Sequence, residues 1–254
     1  YPRLVARAAR AAGVKRIVAT AFTNETDPGL TSEVDTIEWL RVGQLAHLLK
    51  FFRSTGVRHG MMAGQIAPKN LFHLRPDWKA LLLLARLKRR NAETIFGAIA
   101  NELAKIDVEL LPATTFLEKE IARAGLIAGK KLSRREEADV AYGFEIAREM
   151  SRLDIGQTVL VKNGTVLAVE AFEGTNDAIK RGGALAGKGA VMVKVSKPKQ
   201  DMRFDVPVIG TDTVRVAAEA GLRIIAVEAG RTLLLEKDSL GQLAESNGIS
   251  VVGR

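Results

Sequence analysis

The chain has 254 residues, 47% of them hydrophobic, which is enough for a large buried core and predicts two domains. It has no cysteine, so disulfides and thiol catalysis are excluded, and its three histidines lack metal-ligand spacing, which argues against a zinc site. No apolar run reaches the roughly 18 residues of a membrane span. The net charge of +9 predicts an anionic partner, while an aromatic content of 5%, not interleaved with the basic residues, argues against nucleic acid.

The first half of the chain alternates helices and strands. We predict helices over 1–12, 38–53, 78–87 and 91–105, and strands over 16–21, 58–66 and 107–111. Strand, helix and strand in this order favour a right-handed parallel crossover, with ligands bound beyond the strand ends. Gly64 and Gln65 are therefore candidate binding residues, although an ordinary tight turn explains them equally well. The amphipathic helix over 38–53 predicts a homodimer.

The second half predicts an α/β domain of its own. A capping box at Ser133 and Glu136 begins a helix to 152, and the pair Asn163-Gly164 predicts a hairpin. The remaining strands are predicted over 187–195, 206–209, 222–227 and 250–252, and the remaining helices over 175–184, from Thr211 or Thr213 to 220, and over 239–247. The fold class is thus α/β, with domains over 1–112 and 132–254 and a linker over 113–131.

Charged and hydroxyl side chains gather where strands of the second half end. The candidate residues are Glu170, Glu173, Gly174, Thr175, Asp177, Arg181, Lys194, Lys197, Asp205 and Thr213. We predict Thr175 as the N-cap of a helix whose first N–H groups bind an anion. Carboxylates beside a phosphate favour Mg²⁺ or another divalent cation. The alternative, a strand–turn–helix with solvated charges, fits the pattern equally well, and the absence of a Walker loop excludes a P-loop NTPase.

Four motifs resemble the LpxI-type UDP-2,3-diacylglucosamine pyrophosphatases. They are Glu-Gly-Thr-Asn at 173–176, Phe-Asp-x-Pro-x-x-Gly at 204–210, RNAETIFGAIANEL at 90–103 and TTFL at 114–117. The resemblance covers nearly the whole chain and implies a Rossmann-like N-terminal domain followed by a distinct C-terminal α/β domain. Members of that family begin with a strand and an Ile-Ala-Gly-x-Gly-x-x-Pro loop. Only the closing proline is matched here, by Pro2, so we expect a fragment whose first strand is missing.

The resemblance also implies an activity. Family members hydrolyse UDP-2,3-diacylglucosamine to UMP and 2,3-diacylglucosamine 1-phosphate (lipid X) in lipid A biosynthesis, with Mg²⁺ and with water directed at the nucleotide-side phosphorus. Carried over to this chain, Asp205 matches the aspartate expected in metal binding or catalysis. Residue chemistry adds Glu170 as a further catalytic residue, with Glu170 and Glu173 as metal co-ligands.

Phosphate contacts are expected from residues of the same strand ends. By their chemistry these are Gly174, Thr175, Asp177, Arg181, Lys194, Lys197 and Thr213, in addition to Glu173. A substrate with two acyl chains predicts a cytoplasmic protein bound peripherally, through basic residues, to the inner face of the membrane. Two alternatives stay open: a hydrolase of another nucleotide sugar, and a non-catalytic protein that binds an anionic lipid or nucleic acid.

Overall fold

Two separate cores organise the chain. The computed structural model describes residues 1–64, 76–88, 92–198 and 200–254. A first unit comprises Tyr1–Leu117 with Asp201–Asp205, and a second unit comprises Glu118–Gln200 with Val206–Arg254. The predicted α/β class with two domains is confirmed, but the division falls at other residues than expected.

Short strand pairs and helices build the first unit. In chain order its elements are α1 (Pro2–Ala11), β1 (Val18–Phe22), a 3₁₀-helix (Pro28–Glu33), β2 (Thr36–Leu40), α2 (Leu45–Thr55), β3 (His59–Gly60), α3 (Trp78–Arg86), α4 (Ala92–Ala104) and β4 (Glu109–Leu110). Within the described residues β1 pairs with β2 and β3 pairs with β4, both in parallel. The observed partner of β1 is therefore β2, which is nearer in sequence than the strand predicted over 58–66.

The helix predicted over 38–53 is wrong at its start. Residues of β2 pair with β1 along its full length, ending with Leu40 opposite Phe22, and Leu40 is buried. The chain then turns through Gly43, which has a positive φ of 100°, before α2 begins at Leu45. Parallel pairing outweighs the helical periodicity here because it is a tertiary contact that a local pattern does not contain.

The apolar face of α2 packs inside its own unit. Leu45 and Leu49 lie in a cluster with Leu103 of α4 and with Val108, and Phe52 packs against it. These apolar residues of α2 therefore contact their own unit. The homodimer stays a prediction.

One mixed six-stranded sheet forms the centre of the second unit. The elements are a 3₁₀-helix (Glu118–Glu120), β5 (Gly125–Ala128), α5 (Arg134–Arg152), β6 (Thr158–Lys162), β7 (Thr165–Val169), α6 (Thr175–Ala186), β8 (Ala190–Lys194), β9 (Val208–Ile209), α7 (Thr211–Glu219), β10 (Leu222–Val227), β11 (Leu233–Leu234), α8 (Lys237–Ser246) and β12 (Ser250–Gly253). The sheet order is β5-β12-β10-β8-β6-β7, and β9 pairs separately with β11. One core cluster packs α5 against the sheet, and another packs α6, α7 and α8 against it.

Two local motifs of the second unit are confirmed. Ser133 and Glu136 form the capping box of α5. The β6–β7 hairpin turns through Asn163 and Gly164, both with positive φ, as a tight right-twisted turn requires. The buried carboxylate of Asp139 on α5 accepts hydrogen bonds from the backbone N–H groups of Asn163 and Gly164, at 2.8 Å and 2.7 Å. This contact fixes the turn to the helix beneath it.

The segment predicted as a linker, 113–131, is instead shared by the two units. β5 lies within it and pairs antiparallel with β12 at one edge of the sheet. Ala122 is buried, and its N–H donates to Thr232 O at 2.8 Å. The weak periodicity of this segment hid a short edge strand whose partner is the last strand of the sequence.

Within the described part of the chain, no helix combines the length and apolarity that crossing a bilayer requires.

Candidate phosphate-binding site

Four strands of the second unit have their carboxyl ends on the same side of the sheet, which we call the carboxyl edge. β8, β10 and β12 are mutually parallel. β7 runs parallel to them because both β7 and β8 are antiparallel to β6. Their carboxyl ends lead directly to Glu170, Lys194, Glu228 and Arg254. Ligands of open α/β sheets bind beyond such ends, so this edge is the candidate site.

A buried chain of hydrogen bonds joins three of the predicted residues. The Nζ of Lys194 donates to Thr175 Oγ1 at 2.8 Å, and Thr175 Oγ1 donates to Glu170 Oε1 at 2.9 Å. Glu170 and Lys194 are both buried. Glu170 Oε2 is also buried, and no described residue donates to it. The structure thus places three of the predicted residues in one hydrogen-bond chain, in which one carboxylate oxygen has no partner among the described residues.

The start of α6 differs from the prediction by one residue. The N-cap is Gly174, with a φ of 88°, and no side chain caps the helix. Thr175 is the first helical residue, so its hydroxyl bonds to Lys194 and Glu170 instead of to the helix N–H groups. The uncapped N–H groups at this end carry a partial positive charge that favours an anion. A side chain at position 174 would disfavour this φ, and glycine also leaves the N–H groups of the first turn accessible to an anion.

Glu173 is held in a different pair. Its Oε1 accepts a short hydrogen bond from Arg181, which also donates to Val169 O at 2.7 Å. Its Oε2 accepts from the N–H of Ala171 at 3.0 Å. The backbone N–H of Glu173 itself and then the Arg181 guanidinium hold the pKa of this carboxyl below its usual range. The structure therefore separates Glu173 from Glu170 and neutralises its charge with Arg181.

Three further predicted residues lie outside this hydrogen-bond chain. Asp177 is exposed and pairs with Lys180 at 3.1 Å along α6. The Nζ of Lys197, beyond the end of β8, donates to Asp154 Oδ1 at 2.5 Å. Thr213 is half-buried on α7.

A second polar network at the same edge was missed from the sequence. Glu228 Oε2 accepts from the backbone N–H of Ser196 at 2.8 Å and from its hydroxyl. Arg231 donates to the Ser196 Oγ at 3.1 Å. These residues follow β10 and β8, so the rule applied to Glu170 and Lys194 was sufficient to find them.

Buried polar atoms without a partner concentrate here as well. Among the described side chains, those belonging to the segments that flank the strand ends are Gln157 Oε1, Glu170 Oε2, Gln200 Nε2 and Thr232 Oγ1. Buried polar groups in folded proteins are normally paired. A polar ligand bound beyond these strand ends would supply a partner for Glu170 Oε2.

Asp205 belongs to the first unit, unlike Glu170 and Lys194. Its backbone N–H donates to Asp201 O at 2.9 Å. The preceding Phe204 stacks against Phe96 of α4, with ring centroids 5.8 Å apart. The Asp205 side chain is half-buried, and no hydrogen bond or ion pair of its carboxylate is formed with a described residue. The segment that precedes Asp205 is thus anchored within the first unit.

Of the predicted glycine-glutamine pair, only one residue can be placed. Gly64 is exposed, with a φ of 107°. A Cβ on it would lie 3.5 Å from Pro2 Cγ, so this turn lies beside the start of α1. Gln65 lies outside the described residues.

The carboxylates differ in how well they suit a divalent cation. Across the described ranges, with gaps at 65–75, 89–91 and 199, no three or more His, Asp or Glu side chains converge as a metal cluster. The open oxygen of Glu170 is of the type that Mg²⁺ prefers. Glu173 fits less well, because Arg181 and Ala171 already occupy its oxygens.

Comparisons with known proteins agree with the motifs. A model of the LpxI N-terminal domain matches residues 1–120, and a model of the LpxI C-terminal domain matches residues 123–252. A relative from Caulobacter vibrioides, named UDP-2,3-diacylglucosamine pyrophosphatase LpxI, is 31% identical over 223 residues, covering 84% of this chain and 80% of the relative. The chain belongs to the LpxI family.

Proposed function

We propose that this protein is a hydrolase that cleaves the pyrophosphate bond of UDP-2,3-diacylglucosamine, giving UMP and 2,3-diacylglucosamine 1-phosphate in lipid A biosynthesis. Membership of the LpxI family and the name of the relative support the reaction. The observation that carries the phosphate site is the buried Lys194–Thr175–Glu170 chain at the uncapped start of α6.

The chemistry of the site suits a diphosphate. Phosphate oxygens accept hydrogen bonds from the first N–H groups of α6 and are attracted by the Lys194 ammonium. Burial of Lys194 strengthens this attraction, because a charge of low exposure is poorly screened by water. The same contacts stabilise the negative charge that builds up on the phosphoryl oxygens as the bond breaks.

The proposed step is a direct displacement at phosphorus. The water oxygen forms a bond to the nucleotide-side phosphorus, and the bridging oxygen leaves with the lipid-side phosphate. The water oxygen remains in UMP, and the proton it loses passes to a carboxylate. Asp205 is the proposed acceptor or metal ligand, since its carboxylate has no partner among the described residues and its backbone is anchored.

A divalent cation would supply a Lewis acid that polarises the phosphoryl oxygen and lowers the pKa of water. Glu170 is the carboxylate ligand proposed in the second unit, since its Oε2 has no hydrogen-bond partner among the described residues. Asp205 is proposed as a ligand on the strength of its sequence motif. Peripheral attachment to the inner face of the membrane and a homodimer remain predictions that follow from the lipid substrate and the sequence.

Replacement of Asp205 tests the reaction. We expect Asp205→Ala to abolish nearly all UMP release from UDP-2,3-diacylglucosamine while substrate binding is retained, because a catalytic group is lost and the phosphate contacts remain. The matched control is Asp212→Ala, since Asp212 is an exposed acid that pairs with Arg215 on the next turn of α7. Near-parental turnover by Asp205→Ala would show that this residue is wrongly assigned.

Substrate choice separates the alternatives. A hydrolase of another nucleotide sugar would cleave non-acylated UDP-sugars as well as the acylated form. A non-catalytic binding protein would release no UMP from any of these substrates in the presence of Mg²⁺.

A further inference from the structure

Three large apolar side chains lie exposed close together in the fold of the second unit. Leu153 is 57% exposed, Ile155 46% and Phe172 71%. Large apolar residues exposed singly are ordinary, but a group of them beside a polar site marks an interaction surface. We call Leu153, Ile155 and Phe172 the apolar rim.

The backbone places the apolar rim next to the phosphate site. Leu153 and Ile155 precede β6, and Phe172 follows β7, its antiparallel partner. Glu170 N donates to Thr158 O at 2.8 Å. A Cβ built on Gly156 would come within 1.9 Å of Glu170 O. The segment that carries Ile155 therefore packs directly on the segment that leads from Glu170 to Phe172.

The same loops lead to the polar groups of the candidate site. Between Leu153 and Ile155, Asp154 accepts a hydrogen bond from Lys197 at 2.5 Å. Phe172 is followed by Glu173 and by Gly174, the N-cap of α6. An apolar rim and an anion-binding helix start thus share one short stretch of chain, which is the arrangement that an amphiphile with adjacent phosphate and hydrocarbon groups would fit.

We propose that the apolar rim binds the acyl chains of the substrate and sets the preference for long-chain forms; the proposal rests on the function proposed above. In a 2,3-diacylglucosamine 1-phosphate group the chains at positions 2 and 3 begin only a few bonds from the phosphate oxygen at position 1. When the phosphate lies at the start of α6, the chains must leave from its immediate surroundings. The apolar rim is the exposed hydrocarbon surface that the sequence of the second unit places there.

The test compares chain-length preference in matched variants. UMP release is measured with long-chain and short-chain UDP-2,3-diacylglucosamine, each presented both in non-ionic detergent micelles and in phosphatidylglycerol vesicles. The test variant is Ile155→Ser with Phe172→Ser. The control is Leu185→Ser, because Leu185 is equally exposed, at 66%, but lies near the opposite end of α6 from Thr175. Phe172→Leu, which keeps a large apolar side chain, is the conservative variant.

The expected result is a loss of discrimination. In the test variant, kcat/KM for the long-chain substrate should fall at least about tenfold relative to the short-chain substrate, equivalent to about 1.4 kcal/mol, in micelles and in vesicles alike. The control and Phe172→Leu should keep the wild-type ratio, and the short-chain rate should stay within about twofold in all variants.

Other outcomes overturn the proposal in distinguishable ways. An unchanged long-to-short ratio in the test variant refutes acyl-chain binding at the apolar rim. A loss confined to vesicles shows that the apolar rim contacts the bilayer and not the bound chains. If the wild-type protein releases no UMP from either substrate, the proposed function fails and this inference fails with it.

Discussion

The hydroxyl of Thr175 holds two buried charges together, and its removal is the sharpest test of the site. Thr175→Val keeps the size and the branching of the side chain but removes the oxygen that accepts from Lys194 and donates to Glu170. Thr175→Ser keeps the oxygen and loses only a methyl group, so it is the matched control.

The magnitude follows from the two bonds. A hydrogen bond to a charged group contributes about 1.5–3 kcal/mol, so the loss of both corresponds to roughly 3–6 kcal/mol. We expect a cost near the lower limit, about 3 kcal/mol, because the Lys194 ammonium and the Glu170 carboxylate attract each other and move closer once the hydroxyl is gone. Thr175→Ser should cost about 1 kcal/mol or less, as a deleted methylene does.

The measurement has to report on the second unit. Both tryptophans, Trp39 and Trp78, lie in the first unit, so their fluorescence does not follow opening of α6. Hydrogen exchange of the α6 amides measures the free energy of that opening directly. If Thr175→Val and Thr175→Ser change this free energy equally, the hydroxyl does not connect the two charges, and the argument for the site is refuted.

Three further predictions concern packing, pH and ligand binding. Gly182→Ala should destabilise the second unit by about 1–3 kcal/mol, because the new Cβ would lie 2.5 Å from the buried Leu160. Gly97→Ala should instead stabilise α4 by roughly 0.5–1 kcal/mol, because no described atom lies within 4 Å of the new Cβ. Thermal unfolding measures both effects. The Arg203 guanidinium lowers the pKa of Asp201, so the stability from this pair is present above the ordinary Asp pKa of about 3.9 and is lost as pH falls through the lower folded value. NMR titration should show the pKa of Asp201 rising in Arg203→Met, and an unchanged pKa would contradict the pairing. Pyrophosphate at 100 times its dissociation constant should stabilise the second unit by about 2.7 kcal/mol, and no change in its thermal midpoint would argue against phosphate binding.

Local sequence signals predicted elements that depend on local interactions. The capping box at Ser133 and Glu136 and the Asn163-Gly164 turn were found because each is completed within a few residues. The strand β10 was predicted with its observed bounds, since a buried central strand is a continuous apolar run between turn signals.

The errors share a different cause. β2 was taken as the start of a helix, and β5 as part of a linker. Each forms a strand because it pairs with another strand, β1 or β12, and a local sequence pattern does not show that pairing. The β-branched residues Thr36 and Ile37, followed by Gly43, were the signal that favoured a strand. The sequence pattern of 113–131 does not predict that β5 pairs with β12, which follows more than a hundred residues later.

The positions of Glu170 and Lys194 at the same end of the sheet could be predicted because strand-end placement is a topological rule. Glu170 and Lys194 follow two strands whose carboxyl ends share an edge, so small errors in strand length do not separate them. What the sequence did not contain is the pairing of each carboxylate. Glu173 is near Glu170 in sequence, but its carboxylate is paired with Arg181.

Unused hydrogen-bonding capacity distinguishes this edge from a structural ion-pair network. A network that only stabilises the fold gains most when every buried donor and acceptor is paired, because an unpaired one carries its full desolvation cost. Here Glu170 is paired through one oxygen only, and Gln157, Gln200 and Thr232 each have an atom without a hydrogen-bond partner, as far as the described residues are concerned. Such a cost is offset when a ligand supplies the missing partners. A phosphate with its hydration shell or its cation can both donate and accept hydrogen bonds, whereas an acyl chain can do neither. Under the proposed function, the Lys194–Thr175–Glu170 chain would bind the phosphate and the apolar rim would bind the acyl chains of the same substrate.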